Sequence, residues 1–181
     1  MMRILLFLFV VTATTLSCDG QKKKESPSNT IITNYYFIRH AEKDLSDPSN
    51  RNPDLTIEGE ERAERWKAYF SDKDIDAVYS TDYIRTMRTA EPTAVANNVE
   101  IQSYNPSELF SEDFKVDTAG KNIVVVGHSN TTPNFANAAL GENSFKDIDE
   151  SEYFHLYHVQ LIVNDETGEV IDKKYNAVVV D

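Results

Sequence analysis

Apolar residues along the chain fall into two rhythms. Four short runs, Thr33–Ile38 (TNYYFI), Ile75–Ser80 (IDAVYS), Val99–Tyr104 (VEIQSY) and Lys121–Gly127 (KNIVVVG), have the length and the aromatic or β-branched content of strands. Between them apolar positions recur every three or four residues, as on one face of a helix. LTIEGEERAERWKAYFSD opens on Thr56 as an N-cap, carries Glu58, Glu60 and Glu61 in its first turns, and sets Ala63, Trp66, Tyr69 and Phe70 on one face. TDYIRTMRTAEPTAVANN turns Ile84, Met87 and Val95 inward and holds Pro92 as a kink. NTTPNFANAAL starts at Asn130 or Thr131, with Pro133 in its first turn. The final segment, YFHLYHVQLIVNDETGEVIDKKYNAVVV, is a pair of strands joined by a turn at NDETGE.

Alternation of strand and helix predicts an α/β fold, and the unbroken Val124–Val126 run predicts a strand buried on both faces. The expected architecture is a three-layer sandwich, a mostly parallel central sheet flanked by helices, closed by the carboxyl-terminal hairpin. In such sheets ligands bind outside the carboxyl ends of the strands. Arg39 and His40 follow the first strand, and His128 follows the fourth, so both histidines fall on that edge.

The first residues have another pattern. A basic start ending at Arg3, an apolar run from Ile4 to Val11 and small or hydroxyl residues up to Ser17 form the layout of a secretory signal over residues 1–17. TTLSC resembles a bacterial lipoprotein signal, although Thr15 stands where an aliphatic residue is usual; the resemblance implies lipidation of Cys18. Cys18 is the only cysteine, so neither an intramolecular disulfide nor a cysteine metal site can form. Residues 18–30, polar and containing Pro27, are expected to be a tether, leaving 31–181 as one domain. The expected location is the periplasmic face of a bacterial envelope, with the membrane met through the lipid anchor.

With 18 basic and 30 acidic residues the chain has a net charge of −12, which repels the phosphate backbone of nucleic acids. A small anion can still be held by a local group of arginines. Nothing in the sequence fixes an oligomeric state.

RHAEK (Arg39–Lys43), LTIEG (Leu55–Gly59), YSTDYIRTMRTAEP (Tyr79–Pro92) and VVVGHSN (Val124–Asn130) together resemble the histidine phosphatase superfamily, in its phosphoglycerate mutase-like branch. The resemblance implies a phosphatase for small phosphomonoesters with a phosphohistidine intermediate on His40 and no metal or organic cofactor. Arg39 and Arg85 would bind the phosphoryl oxygens, His128 would donate to the same oxygens, and Lys43 would add charge at the rim. Glu108, in YNPSELF, matches the general acid locally, with Glu112, Asp113 and Asp44 as competitors. In the other branch an acidic residue follows the second histidine; here Ser129 does. Asn130 and Thr131 are candidate phosphate ligands at a helix start, or simply its caps. Arg88 is either a further phosphate ligand or a partner for Glu91.

The chemistry agrees with these roles. Neutral imidazole is a competent nucleophile near pH 7, flanking positive charge favours that neutral form, and planar arginine forks suit phosphoryl oxygens. Two other readings compete. One is a phosphate-binding module of the same fold without turnover. The other is a serine α/β-hydrolase with Ser129 as nucleophile and Asp147 and His155 as partners, although Thr131 stands where its elbow needs glycine. His155 and His158, three apart on a strand, lie on opposite faces and are expected to be structural or solvated. The short chain leaves little room for a substrate lid, which favours an open site.

Overall fold

The structure, a computed structural model, describes residues 29–181. The signal segment, Cys18 and most of the tether lie outside the described residues. In chain order the elements are β1 (Thr30–Arg39), α1 (Ile57–Tyr69), β2 (Ala77–Ser80), α2 (Ile84–Ala96), β3 (Ile101–Ser103), α3 (Glu112–Thr118), β4 (Asn122–Gly127), α4 (Thr131–Leu140), β5 (His155–Asn164) and β6 (Val170–Val179).

All six strands join one sheet in the order β3-β2-β4-β1-β5-β6. The pairs β3–β2, β2–β4 and β4–β1 are parallel, and the terminal hairpin adds β5 and β6 antiparallel beside β1. The sheet is therefore mixed, with a parallel half that contains both histidine-bearing edges. Strand geometry sends alternate side chains to opposite faces. Tyr35, Phe37, Ile123 and Val125 pack with Phe135, Ala136, Ala139 and Leu140 of α4 and Phe114 of α3. Tyr36, Ile38, Val124 and Val126 pack with Trp66 of α1, the adjoining Phe70, and Ala90 and Ala94 of α2. These two cores make the three layers, and each large side chain buried in them contributes about 1.5–3 kcal/mol.

The helix that follows β1 and the helix that follows β4 cover opposite faces, so a crevice opens between the carboxyl ends of these neighbours. Register aligns its walls. Arg39 pairs with Gly127, and the amide of His40 extends the ladder by donating to the Gly127 carbonyl at 2.9 Å.

The LTIEG motif fixes the chain just past His40. Thr56 caps α1 by accepting from the Gly59 amide at 3.1 Å, and its own amide donates to the Glu42 carbonyl at 2.9 Å. A Cβ on Gly59 would overlap that same Glu42 carbonyl oxygen, so only glycine lets the first turn of α1 approach so closely. Glu42 in turn receives Arg62 Nε at 2.8 and 2.9 Å and Arg62 Nη2 at 2.7 Å, both side chains being largely buried.

Helix α2 departs from its predicted orientation. Ile84 and Val95 are 43% and 73% exposed and Met87 is only partly buried, while Thr86, Thr89, Ala90, Thr93 and Ala94 face inward. Small and hydroxyl side chains permit a close approach, and local bonds satisfy two of the buried hydroxyls: Thr86 donates to the Thr81 carbonyl at 2.8 Å and Thr89 to the Arg85 carbonyl at 2.7 Å. Thr89 also accepts from the Ala41 amide at 2.9 Å, tying α2 to the end of β1. The helix continues through Pro92. At α4 the cap falls at one of the two expected positions. Asn130 is the cap residue but its side chain makes no cap bond, and the Thr131 hydroxyl accepts from the His128 amide at 2.9 Å.

Candidate active site

Arg39, His40, Arg85 and His128 come from three separate elements and meet at the crevice. The ring centroids of His40 and His128 are 5.5 Å apart, edge to face. Both histidines and Arg85 feel the positive charge of Arg39, and Lys43 acts on His128 from the rim.

His40 is only 2% exposed. Its Nδ1 lies 2.7 Å from the Ala41 carbonyl oxygen, which can only accept, so Nδ1 carries the proton and Nε2 keeps the lone pair. Burial is the main cause that pushes the His40 pKa down to about 3; the Ala41 carbonyl opposes it, and Arg39, His128 and Arg85 add smaller lowering effects. The sequence shows those charges but not the burial, because burial depends on segments distant along the chain.

His128 is fixed by a hydroxyl relay. Its Nε2 lies 3.0 Å from Thr81 Oγ1, Thr81 donates to Thr86 Oγ1 at 3.0 Å, and Thr86 gives its proton to backbone carbonyls. Thr81 therefore accepts from His128 Nε2–H, and the neutral ring holds its lone pair on Nδ1. Burial lowers the His128 pKa to about 4, aided by Arg85, Lys43 and Arg39 and opposed by Glu150. The Tyr83 ring stands edge-on to His128 at 5.1 Å and lies beneath the Arg85 guanidinium at 4.4 Å.

The two arginines differ in what they have free. Arg39 is fully buried: Nη1 donates to the carbonyls of Asp149 (2.8 Å) and Glu152 (2.9 Å), and Nη2 to Glu150 Oε2 (2.6 Å). Its Nε is buried without a partner. In Arg85, Nε and Nη1 are buried and have no hydrogen-bond partner, so donors of this guanidinium are unpaired. Arg39 thus also holds down the segment before β5.

That segment is what sequence reasoning missed. Tyr153 lies over Arg39 at 4.3 Å and 6.0 Å from the His40 ring, and Glu150 bridges Arg39 and Ser129. The expected open site is therefore covered at this rim. A signal was available: a strand pairing antiparallel with β1 must begin beside the end of β1, and Leu156 does pair with Ile38.

Other candidates are placed elsewhere. Glu108 is exposed in the turn after β3; its amide bonds to the Asn105 carbonyl, and its side chain makes no described contact with either histidine. Glu112 and Asp113 open α3, and Glu112 pairs with Lys115. Asp44 accepts from the Ser46 amide. The Asn130 side chain is exposed with no described bond. Arg88 pairs with Glu60 at 2.8 Å and is not drawn to the histidines. The Ser129 hydroxyl donates to Glu150 at 2.5 Å and His155 Nε2 meets Glu152 at 2.9 Å, so Ser129, Asp147 and His155 do not assemble as a triad. His158 stacks on Tyr36 at 4.7 Å between Asn34 and Asn176, a structural place. Among the described residues no three His, Cys, Asp or Glu side chains are grouped to hold a metal ion, and no helix is long and apolar enough to cross a membrane.

Residues 35–105 match the model of the histidine phosphatase superfamily, branch 1. Over this stretch the chain is similar to that superfamily. The matched stretch holds RHAEK, LTIEG and the Arg85 motif and ends before the strand leading to His128. Among solved structures, the protein histidine phosphatase SixA complexed with tungstate is similar at 15% identity and TM-score 0.59, over 81% of this chain and 96% of that one. A mycobacterial glucosyl-3-phosphoglycerate phosphatase is similar at 10% identity and TM-score 0.58, over 83% and 100%. A phosphoserine phosphatase variant from Entamoeba histolytica in complex with phosphoserine is similar at 14% identity and TM-score 0.53, over 78% and 96%. At such identities these likenesses establish the shared fold. No curated protein matches the chain.

Proposed function

We propose that the protein is a phosphatase that hydrolyses small phosphomonoesters through a phosphohistidine on His40. The observation that carries this reading is the Nδ1–Ala41 bond, which leaves Nε2 as a neutral nucleophile among two arginines and a second histidine. Nε2 attacks phosphorus, the bond to the leaving oxygen breaks, and that oxygen takes up a proton. Water then attacks phosphorus, the N–P bond breaks, and inorganic phosphate departs with His40 restored. Arg85 offers unpartnered donors to the equatorial oxygens, and Arg39 offers Nε. An arriving monoanionic phosphoryl group can pass its proton to His128 Nδ1, which then donates to the phosphoryl or leaving oxygen.

Purified protein assayed with a panel of phosphomonoesters should show turnover that His40→Ala abolishes and that EDTA does not affect. Mixtures quenched in alkaline denaturant should contain a base-stable phosphoryl enzyme that acid then hydrolyses. Turnover that survives in His40→Ala would overturn the reading, and tight vanadate binding without turnover would favour the non-catalytic module. For the amino-terminal segment we propose export and lipidation at Cys18, supported by the apolar run and the TTLSC pattern. Cys18→Ser should then move the protein from the membrane fraction to the soluble fraction.

A further inference from the structure

Glu150 holds a position the proposed reaction does not explain. Its two carboxylate oxygens have different partners: Oε2 receives Arg39 Nη2 at 2.6 Å, and Oε1 receives the Ser129 hydroxyl at 2.5 Å. Its side chain is 71% exposed, so this negative charge stands at the mouth of a site whose buried groups are cationic. The segment bearing it is anchored independently, through Ile148 N to the Ser129 carbonyl (2.9 Å) and Val180 N to the Phe154 carbonyl (3.0 Å).

On Arg39 an incoming phosphoryl group finds Nη1 already used by two carbonyls and only Nε, with Nη2, left to accept it. A phosphoryl oxygen at that edge competes with Glu150 for Nη2. It does not compete for Ser129. The carboxylate is therefore kept at the mouth by Ser129 and the anchored backbone while the phosphoryl group sits inside, and whatever the phosphorus carries must pass beside it. Lys43 acts on both Glu150 and His128 but makes no ion pair with Glu150 among the described residues, so it softens this charge without neutralising it.

We propose that Glu150 sorts substrates by charge. The site takes compact phosphomonoesters with a cationic amino group close to the phosphoryl group, and disfavours those with a second carboxylate or phosphate there. This rests on the phosphatase reading and deepens it.

The test compares kcat/KM for O-phosphoethanolamine and 2-phosphoglycolate, esters of equal chain length and opposite end charge, near pH 7.5, with p-nitrophenyl phosphate as a reference. The wild type should prefer phosphoethanolamine by roughly tenfold, the joint effect of one attractive and one repulsive exposed pair. Glu150→Gln should bring that ratio close to one whatever its overall rate, and added salt should shrink the wild-type ratio. A ratio unmoved by Glu150→Gln in an enzyme that hydrolyses the reference ester would overturn the inference alone. A wild type that hydrolyses none of the three would overturn the phosphatase reading with it.

Discussion

The Ala41 carbonyl oxygen lies 2.7 Å from Nδ1 of the preceding His40, and this one bond decides which nitrogen of the ring keeps its lone pair. With the His40 pKa at about 3 and His128 at about 4, both rings of the free enzyme are neutral above about pH 5. The kcat/KM profile should therefore show no enzyme-derived acid limb near 6.5; the limb due to the enzyme's own histidines should appear only as pH approaches 4. A limb that tracks the substrate's second ionisation, near pH 6 for phosphomonoesters, is expected and should move with the substrate.

Stability carries the same signature. A histidine whose folded pKa is depressed takes up a proton on unfolding, so its contribution is fully present above about pH 6.5 and is lost as pH falls towards 3 to 4. Urea midpoints measured from pH 7.5 to 4.5 should decline steadily. His40→Ala should decline less steeply, whatever its absolute stability.

Thr81 accepts from His128 Nε2 and so sets its tautomer. Thr81→Val should release the Nε2 proton, lower kcat by about tenfold or more with a smaller change in KM, and alter the 15N shifts of the His128 ring. Thr81→Ser, which keeps the hydroxyl, should restore most of the rate. A valine variant with normal ring shifts would remove this role.

Proton donation can be assigned by a pair of variants. Glu108→Gln should leave kcat within about twofold, since Glu108 is exposed and apart from the histidines. His128→Asn should lose about a hundredfold or more, the usual scale of general acid catalysis. Loss in the Glu108 variant alone would transfer the acid's role to that turn.

Gly59→Ala should destabilise the fold by about 2 kcal/mol, because the new methyl group meets the Glu42 backbone rather than a flexible side chain. Glu42→Ala should cost more, about 3 kcal/mol, since it strands the largely buried Arg62. Thermal unfolding measures both.

The parallel half of the fold was legible because strands such as Lys121–Gly127 are apolar on both faces and end on chemically distinctive residues. Helix α2 was misjudged because large apolar residues were assumed to face inward, and here threonine hydroxyls with local acceptors made the inner face small instead. His40, both arginines and His128 were visible as residues at strand and helix ends. Glu150 and Tyr153 were not, since their partners on β1 are more than a hundred residues away and only the antiparallel pairing of β5 joins them.

The pairing of Arg39 with Gly127 has one further consequence. Each histidine is the next residue after a matched pair of rungs, so their separation is inherited from the spacing of two neighbouring strands, about 4.8 Å, rather than set by any loop. The sheet acts as a ruler for the two imidazoles. Rim segments can lengthen, shorten or change sign in descendants of this protein while the distance between His40 and His128 stays calibrated.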